Sequence, residues 1–266
     1  MSESSLNPHV ATPPVAPQHS TMLSKHGDKR LDNYYWLRHK QDPAVLDYLK
    51  AENAYADAVA KPLQRFGDTL YQEMVGRIQE TDLSVPYQLR GWLYYNRTEA
   101  GKQYPILCRK SAADGAAAPE HVLLDVNKLA EGKPFMAIGT VALSEDDRLY
   151  AFTTDATGFR QYALRIKDLH TGKLLPVRRQ RVTSVAWAAD NKTLFYTTED
   201  KVTKRSNQLW KHVLGQKQDR LIYEEKDERF RVHVHRTRSR AYLLLSISSH
   251  TASEVRYLPT SRPNGR

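Results

Sequence analysis

The chain has 266 residues, a hydrophobic fraction of 40% and a formal net charge of +10. At roughly 150 residues per domain, this length allows one large domain or two small ones, with enough chain to bury a sizeable core. No apolar run approaches the ~18–20 residues of a membrane-spanning helix, and no basic-then-apolar segment of the secretory kind opens the chain. Cys108 is the only cysteine, which excludes an internal disulfide and makes a reducing compartment the expectation.

Residues 1–24 read as a disordered, Pro-rich tail. Pro8, Pro13, Pro14 and Pro17 sit there among Ser, Thr and Asn, with too little apolar surface to offset the entropy of ordering. Residues 25–82 read as a helical N-terminal extension. Asp42-Pro43 is a helix start, with a capping carboxylate followed by a proline at the first helical position. Val45, Tyr48, Leu49, Tyr55, Ala56 and Val59 then recur at helical steps until Pro62. A second run puts Leu63, Phe66, Leu70, Met74 and Ile78 on one stripe, so each helix has an apolar face in need of a partner.

From about Leu83 the period changes to that of strands. Trp92–Tyr95, Tyr104–Cys108 and Val122–Leu124 form a first, divergent set. Val141–Leu143, Leu149–Thr154, Tyr162–Ile166 and Thr171–Lys173 form a second set. Val185–Trp187, Leu194–Thr198 and Leu209–Val213 form a third; Val232–Val234, Ala241–Leu245 and Val255–Leu258 form a fourth. The turns Glu145-Asp146-Asp147 and Ala189-Asp190-Asn191 fall at equivalent places. A period of roughly 40–50 residues with about four short strands marks a β-propeller blade. The fold class is therefore mainly β: an incomplete propeller of about four blades over 83–266, preceded by the helical extension. Four blades could close on themselves, but an unfinished last blade favours an interrupted larger ring.

Chemistry-bearing motifs are sparse. There is no Gly-x-Ser-x-Gly nucleophile elbow, no His-Glu-x-x-His and no glycine-rich phosphate loop. Cys108 lies in a strand without a cationic setting and reads as a structural thiol. His233 and His235 share a strand face and could hold a metal only with a third ligand; a polar face among arginines is the better reading. Glu145–Asp147 and Glu224-Glu225 read as solvated turns. The basic excess gathers at Arg178, Arg179 and Arg181, then at Arg229, Arg231, Arg236, Arg238 and Arg240. With Phe230 and Tyr242 nearby, the second cluster could meet nucleic acid, but its in/out alternation favours a solvated strand face. Trp92, Trp187 and Trp210 read as packing between blades. No catalytic, cofactor-binding or metal residue is assigned, and no cofactor is expected.

Longer ordered motifs carry a resemblance. Asp32-Asn33-Tyr34-Tyr35-Trp36-Leu37-Arg38, Asp42-Pro43 and Tyr48-Leu49-Lys50-Ala51-Glu52-Asn53-Ala54-Tyr55 come first. Glu73–Ile78, Ser84–Tyr87, Tyr94–Arg97 and Gly101–Lys110 follow. From about Leu23 to Leu258 the chain resembles the N-terminal part of the prolyl oligopeptidase family of serine peptidases, with Gly101–Lys110 pointing to its oligopeptidase B branch. His39 departs from the acidic residue often found there. The resemblance implies a seven-bladed propeller that restricts access to short peptides cut after Lys or Arg. It also implies a C-terminal α/β-hydrolase domain that carries the Ser-Asp-His triad and packs on the N-terminal helices. No position of this chain matches the triad motifs, so the 266 residues are expected to lack that domain and to be inactive alone. Short basic peptides are the expected substrate of the full-length enzyme, membrane is not an expected partner, nucleic acid is disfavoured, and the expected location is cytoplasmic. A stand-alone interaction scaffold and a basic nucleic-acid-binding module are the alternatives.

Overall fold

A computed structural model describes residues 12–265, which separate into two compact units meeting in sequence at Gln79 and Glu80. Residues 1–11 of the expected tail, and Arg266, lie outside the described residues.

In the N-terminal unit, β1 (Thr21–Lys25) and β2 (Asp28–Asp32) form an antiparallel hairpin. The hairpin begins at Thr21, inside the 1–24 segment expected to be a disordered tail, and backbone pairing with β2 orders it there. The hairpin turns at His26-Gly27, both at positive φ. Trp36 follows in a 3-10 turn; its indole N–H donates to the Pro17 carbonyl at 2.9 Å, and His19 stacks on the ring. Helix α1 (Pro43–Ala60) begins as expected, with Asp42 accepting from the Ala44 N–H at 2.9 Å and Pro43 in the first turn. Pro62 sits in the 3-10 turn Lys61–Leu63 that ends α1, because proline supplies no N–H to continue it. Helix α2 (Gln64–Gly76) buries no side chain; Phe66, Leu70 and Met74 stay exposed along its stripe.

The second unit is a run of four antiparallel meanders. Blade 1 contains β3 (Tyr87–Leu89), β4 (Trp92–Arg97), β5 (Ile106–Ser111) and β6 (His121–Asp125). A short helix α3 (Val126–Ala130), capped by Asp125, leads to blade 2, which contains β7 (Ala137–Leu143), β8 (Leu149–Asp155) and β9 (Ala163–Asp168). Thr171–Lys173, expected as a fourth strand, is instead the turn after β9 with Gly172 at φ +72. Single bridges at Leu174 and Arg179 take the fourth strand's place. Blade 3 contains β10 (Val182–Trp187), β11 (Thr193–Glu199), β12 (Ser206–Val213) and β13 (Arg220–Glu224). Blade 4 contains β14 (Arg231–Arg236), β15 (Tyr242–Ser248) and β16 (Ser253–Pro259).

Successive strand residues face opposite sides of a sheet, so one strand can feed two seams. In β8, Tyr150 and Phe152 join Tyr94, Leu123 and Leu124 between blades 1 and 2. Leu149 and Ala151 turn the other way, to Val185, Trp187, Leu194 and Tyr196 of blade 3. In β11, Phe195 leaves that seam and packs with Leu209, Val232, Val234, Leu243 and Leu245 between blades 3 and 4. Each seam thus holds its own hydrophobic cluster, the blades stack in chain order, and the sheets form an open, partial propeller. Among the described residues, no helix is long and apolar enough to cross a membrane.

Candidate functional site

The turn between the first and second strands recurs in every blade with one shared feature. Arg90, Asp147, Asn191 and Arg240 all adopt positive φ, at 54°, 57°, 56° and 63°. Each stands two positions before its second strand begins, at Trp92, Leu149, Thr193 and Tyr242. Asn and Asp tolerate this left-handed conformation, whereas arginine is uncommon there. The four turns are tied to one another by side chains.

Glu145 is the hub. Its carboxylate accepts from Arg240 at 3.1 and 2.8 Å and lies 2.6 Å from Arg236. Arg90 stands 3.8 Å from the same carboxylate, donates to the Glu145 carbonyl at 2.6 Å and pairs with Asp147. The Tyr94 hydroxyl also donates to Asp147, and Arg109 donates to the Asp147 carbonyl at 2.9 Å. Arg236 in turn donates to the Arg240 carbonyl, and the Asp146 N–H donates to the Asn191 side chain. Residues of blades 1, 2, 3 and 4 therefore meet in one polar cluster. Burial alone would raise the Glu145 carboxyl; hydrogen bonds from Arg240 and Arg236 outweigh it and hold the group below its ordinary range. Burial, then the neighbouring Arg240, lowers the Arg236 guanidinium, which Glu145 only partly restores. The cluster consists of cations, carboxylates and a phenol, so its chemistry is binding and positioning.

This overturns two expectations. Glu145–Asp147 is not a solvated turn, because Glu145 and Asp147 are consumed by arginines from other blades. Arg236 and Arg240 do not belong to a solvated basic face, although Arg229, paired locally with Asp227, is exposed. Arg90 and Arg109 carried no signal of their own. Aligning the four turns would have singled out Arg90, since it occupies the place of Asp147.

The remaining sequence candidates disperse. Cys108 is buried in β5, and desolvation with the nearby Glu120 pushes its thiol up to about 12. His233 and His235 lie on one face of β14 with ring centroids 5.7 Å apart; among the described residues no group of three metal-ligating side chains forms. Burial, then His235, lowers the His233 imidazole. Glu224 accepts from Gln208 at 2.8 Å, and Glu225 from the Tyr223 hydroxyl at 2.7 Å. Arg181 pairs with Glu199, and Arg179 with Asp219 at 2.5 Å. Asp219 also accepts from Tyr196 and bonds His212, beside a cleft of about 900 Å³ lined by Tyr196, Trp210 and Lys217. Trp187 is buried in its seam, and Trp92 carries the Arg109 guanidinium 3.9 Å above its ring.

Comparison with known proteins adds the lineage. Residues 13–266 match the family model described as prolyl oligopeptidase, N-terminal beta-propeller domain. Dipeptidyl aminopeptidase BI of Pseudoxanthomonas mexicana is 42% identical, covering 95% of this chain and 38% of the relative. Protease 2 of Moraxella lacunata is 37% identical, covering 90% and 36%. Oligopeptidase B from Leishmania major superposes with a TM-score of 0.87 at 29% identity, over 96% of this chain and 38% of that one. Oligopeptidase B from Trypanosoma brucei, a closed form with covalently bound antipain, gives 0.85 at 30% identity, over 94% and 38%. The chain thus spans well under half the length of the relatives it matches, and it belongs to the prolyl oligopeptidase family through that family's N-terminal β-propeller domain.

Proposed function

We propose that this chain is the access-restricting propeller segment of an oligopeptidase B-like serine endopeptidase that cuts short peptides after Lys or Arg. The observation that carries the reading is the likeness to two oligopeptidase B structures over nearly the whole chain. In this reading the hydrolase domain supplies the serine, histidine and aspartate, and the propeller filters what reaches them. The exposed stripe of Phe66, Leu70 and Met74 on α2 suits packing against that domain. Alone, the chain contributes no nucleophile to peptide hydrolysis. We place it in the cytoplasm, because its single thiol is buried and needs no oxidising setting. Nucleic acid is the weaker partner, since Arg179, Arg181, Arg236 and Arg240 already hold carboxylates.

The test puts this chain in place of the matched segment of dipeptidyl aminopeptidase BI. The chimera is expected to hydrolyse short peptide amides with Lys or Arg before the cut bond, and to spare casein. The isolated chain is expected to hydrolyse neither. Hydrolysis by the isolated chain, or equal cleavage of casein by the chimera, would overturn the reading.

A further inference from the structure

The first seam is not completely filled. Between blades 1 and 2 lies a cavity of about 310 Å³, walled by Tyr87, Tyr94, Tyr150, Leu89, Leu123 and Leu143. Tyr94, Leu123 and Tyr150 belong to the buried cluster of that seam, with Leu89 and Leu143 packed against it. Tyr87 on β3 and Val141 on β7 line the same space but are 60% and 43% exposed, so they mark its mouth. The volume is at the lower end for ligand pockets, and an apolar, aromatic wall with few polar groups is their usual composition.

One polar group in that wall is unused. Tyr94, Tyr150 and Tyr196 are buried to the same degree, each 3% exposed. The Tyr94 hydroxyl donates to Asp147 and the Tyr196 hydroxyl to Asp219. The Tyr150 hydroxyl has no hydrogen-bond partner among the described residues. Burial, with Tyr87 and Tyr94 close by, pushes its ionisation well above the ordinary phenol range, so it stays protonated and able to donate. It is not sealed in: the side-chain atoms that are both enclosed and unpartnered are nitrogens of arginine and histidine. The hydroxyl therefore opens onto the cavity that Tyr150 lines. Buried donors are almost always satisfied, so a free one facing an apolar space calls for an acceptor brought by a ligand.

Charge and shape narrow the ligand. Arg240 borders the cavity, but its guanidinium is held by Glu145 and offers nothing to an anion. A charged group would enter this space without a counter-charge, at a high desolvation cost, so the ligand is neutral. Three tyrosine rings in the wall favour an aromatic ring, since ring pairs add to the gain from burial. We propose that the cavity of the first seam binds one neutral phenol ring, whose oxygen accepts from the Tyr150 hydroxyl. A free phenolic compound and the tyrosine side chain of a peptide present this same chemistry. The site is a property of the seam and does not depend on the peptidase reading.

Fluorine NMR titration of the full chain with para-fluorophenol, and with fluorobenzene as the ring without oxygen, tests it. Saturable millimolar binding of the phenol is expected, severalfold tighter than that of fluorobenzene. Tyr150→Phe keeps the ring and removes only the hydroxyl. It should weaken the phenol about fivefold, the loss of one neutral hydrogen bond, and leave fluorobenzene unchanged. Its urea midpoint should not fall, because the deleted hydroxyl has no partner in the chain. Displacement of para-fluorophenol by N-acetyl-tyrosinamide identifies a site that admits a tyrosine side chain; phenol binding without displacement identifies a site for free phenols. No saturable phenol binding, equal affinity for the two rings, or a phenol affinity unchanged in Tyr150→Phe would overturn the site. So would a lower urea midpoint for that variant, which would show the hydroxyl already bonded within the chain.

Discussion

The two units answer the same physical demand in different ways. The N-terminal unit has the better formed local structure, with a capped helix of 18 residues, yet it fully buries few large side chains, chiefly Trp36 and Val45. The propeller unit is made of strands of three to eight residues that would be marginal in isolation, yet each seam between them holds a buried hydrophobic cluster. Good local signals therefore do not imply local stability. Helix α2, with its clean apolar stripe and no buried side chain, is strong in pattern and weak in packing. Strand β11 is short, but alternate residues serve two different seams, so tertiary contacts reinforce it from both faces.

The sharpest way to break this comparison is to make one truncation in each unit. Trp187 is 1% exposed, donates to the Ala142 carbonyl and fills the seam between blades 2 and 3. Trp187→Ala should cost about 3–5 kcal/mol and lower the urea midpoint of the propeller unit accordingly. Trp36→Ala should cost less, because Trp36 stacks on His19 and meets the edge of Tyr48 instead of filling a hydrophobic cluster like that around Trp187. Equal losses would mean that the N-terminal unit is packed as tightly as a seam. Hydrogen exchange on the unaltered chain gives the same contrast without mutation. Amides of β8 and β11 should outlast those of α2, and strong protection throughout residues 43–79 would contradict the difference.

What was legible in the sequence follows the same division. Asp42-Pro43 and Pro62 announce both ends of α1 because capping and proline effects act within a few residues. The strand sets were legible from alternation, and from them the repeat and the fold. Three things were not. Tyr87–Leu89 is too short to show a period, and Arg220–Glu224 sets Leu221, Ile222 and Tyr223 side by side between charged ends without in/out alternation, so neither β3 nor β13 shows in the sequence. Gly139 occupies an irregular stretch of β7 where a Cβ would meet the Thr153 hydroxyl at 2.6 Å, a steric demand created by residues far along the chain. The cluster at Glu145 joins residues 55 and 95 positions away. Pairing of that range leaves no local trace, so acids and arginines each looked like separate solvated groups. Only the register of the repeated turns links them.

Acid should act on the propeller unit through Asp219, whose side chain is 6% exposed. Burial would raise its carboxyl, but hydrogen bonds from Arg179, Tyr196 and His212 bring it to about 2, below the ordinary 3.8. A folded-state value below the unfolded one means that the stabilisation is complete above about pH 4 and is lost as pH falls towards 2. The size is about 2 kcal/mol at most. Urea midpoints measured across this window should decline, and Asp219→Asn should flatten that part of the decline while lowering stability near neutrality. A variant with an unchanged acid slope would show that the cluster around Asp219 does not carry the pH dependence.

The smallest expected effect sharpens the comparison from the other side. Asp42→Ala removes one acceptor for the first-turn N–H groups of α1 and one negative charge from its positive end. The loss should be about 1 kcal/mol, well below the cost of a seam tryptophan. In the N-terminal unit, however, few buried contacts share that load, so the change should appear as measurable fraying of residues 43–50 by hydrogen exchange. The equivalent removal in the propeller unit is Asp125→Ala at α3, whose carboxylate caps Asn127 and Lys128. There the adjoining β6 is held by Leu123 and Leu124 in the first seam, so exchange in β6 should hardly change. If both substitutions frayed their surroundings equally, capping rather than seam packing would set local stability throughout the chain.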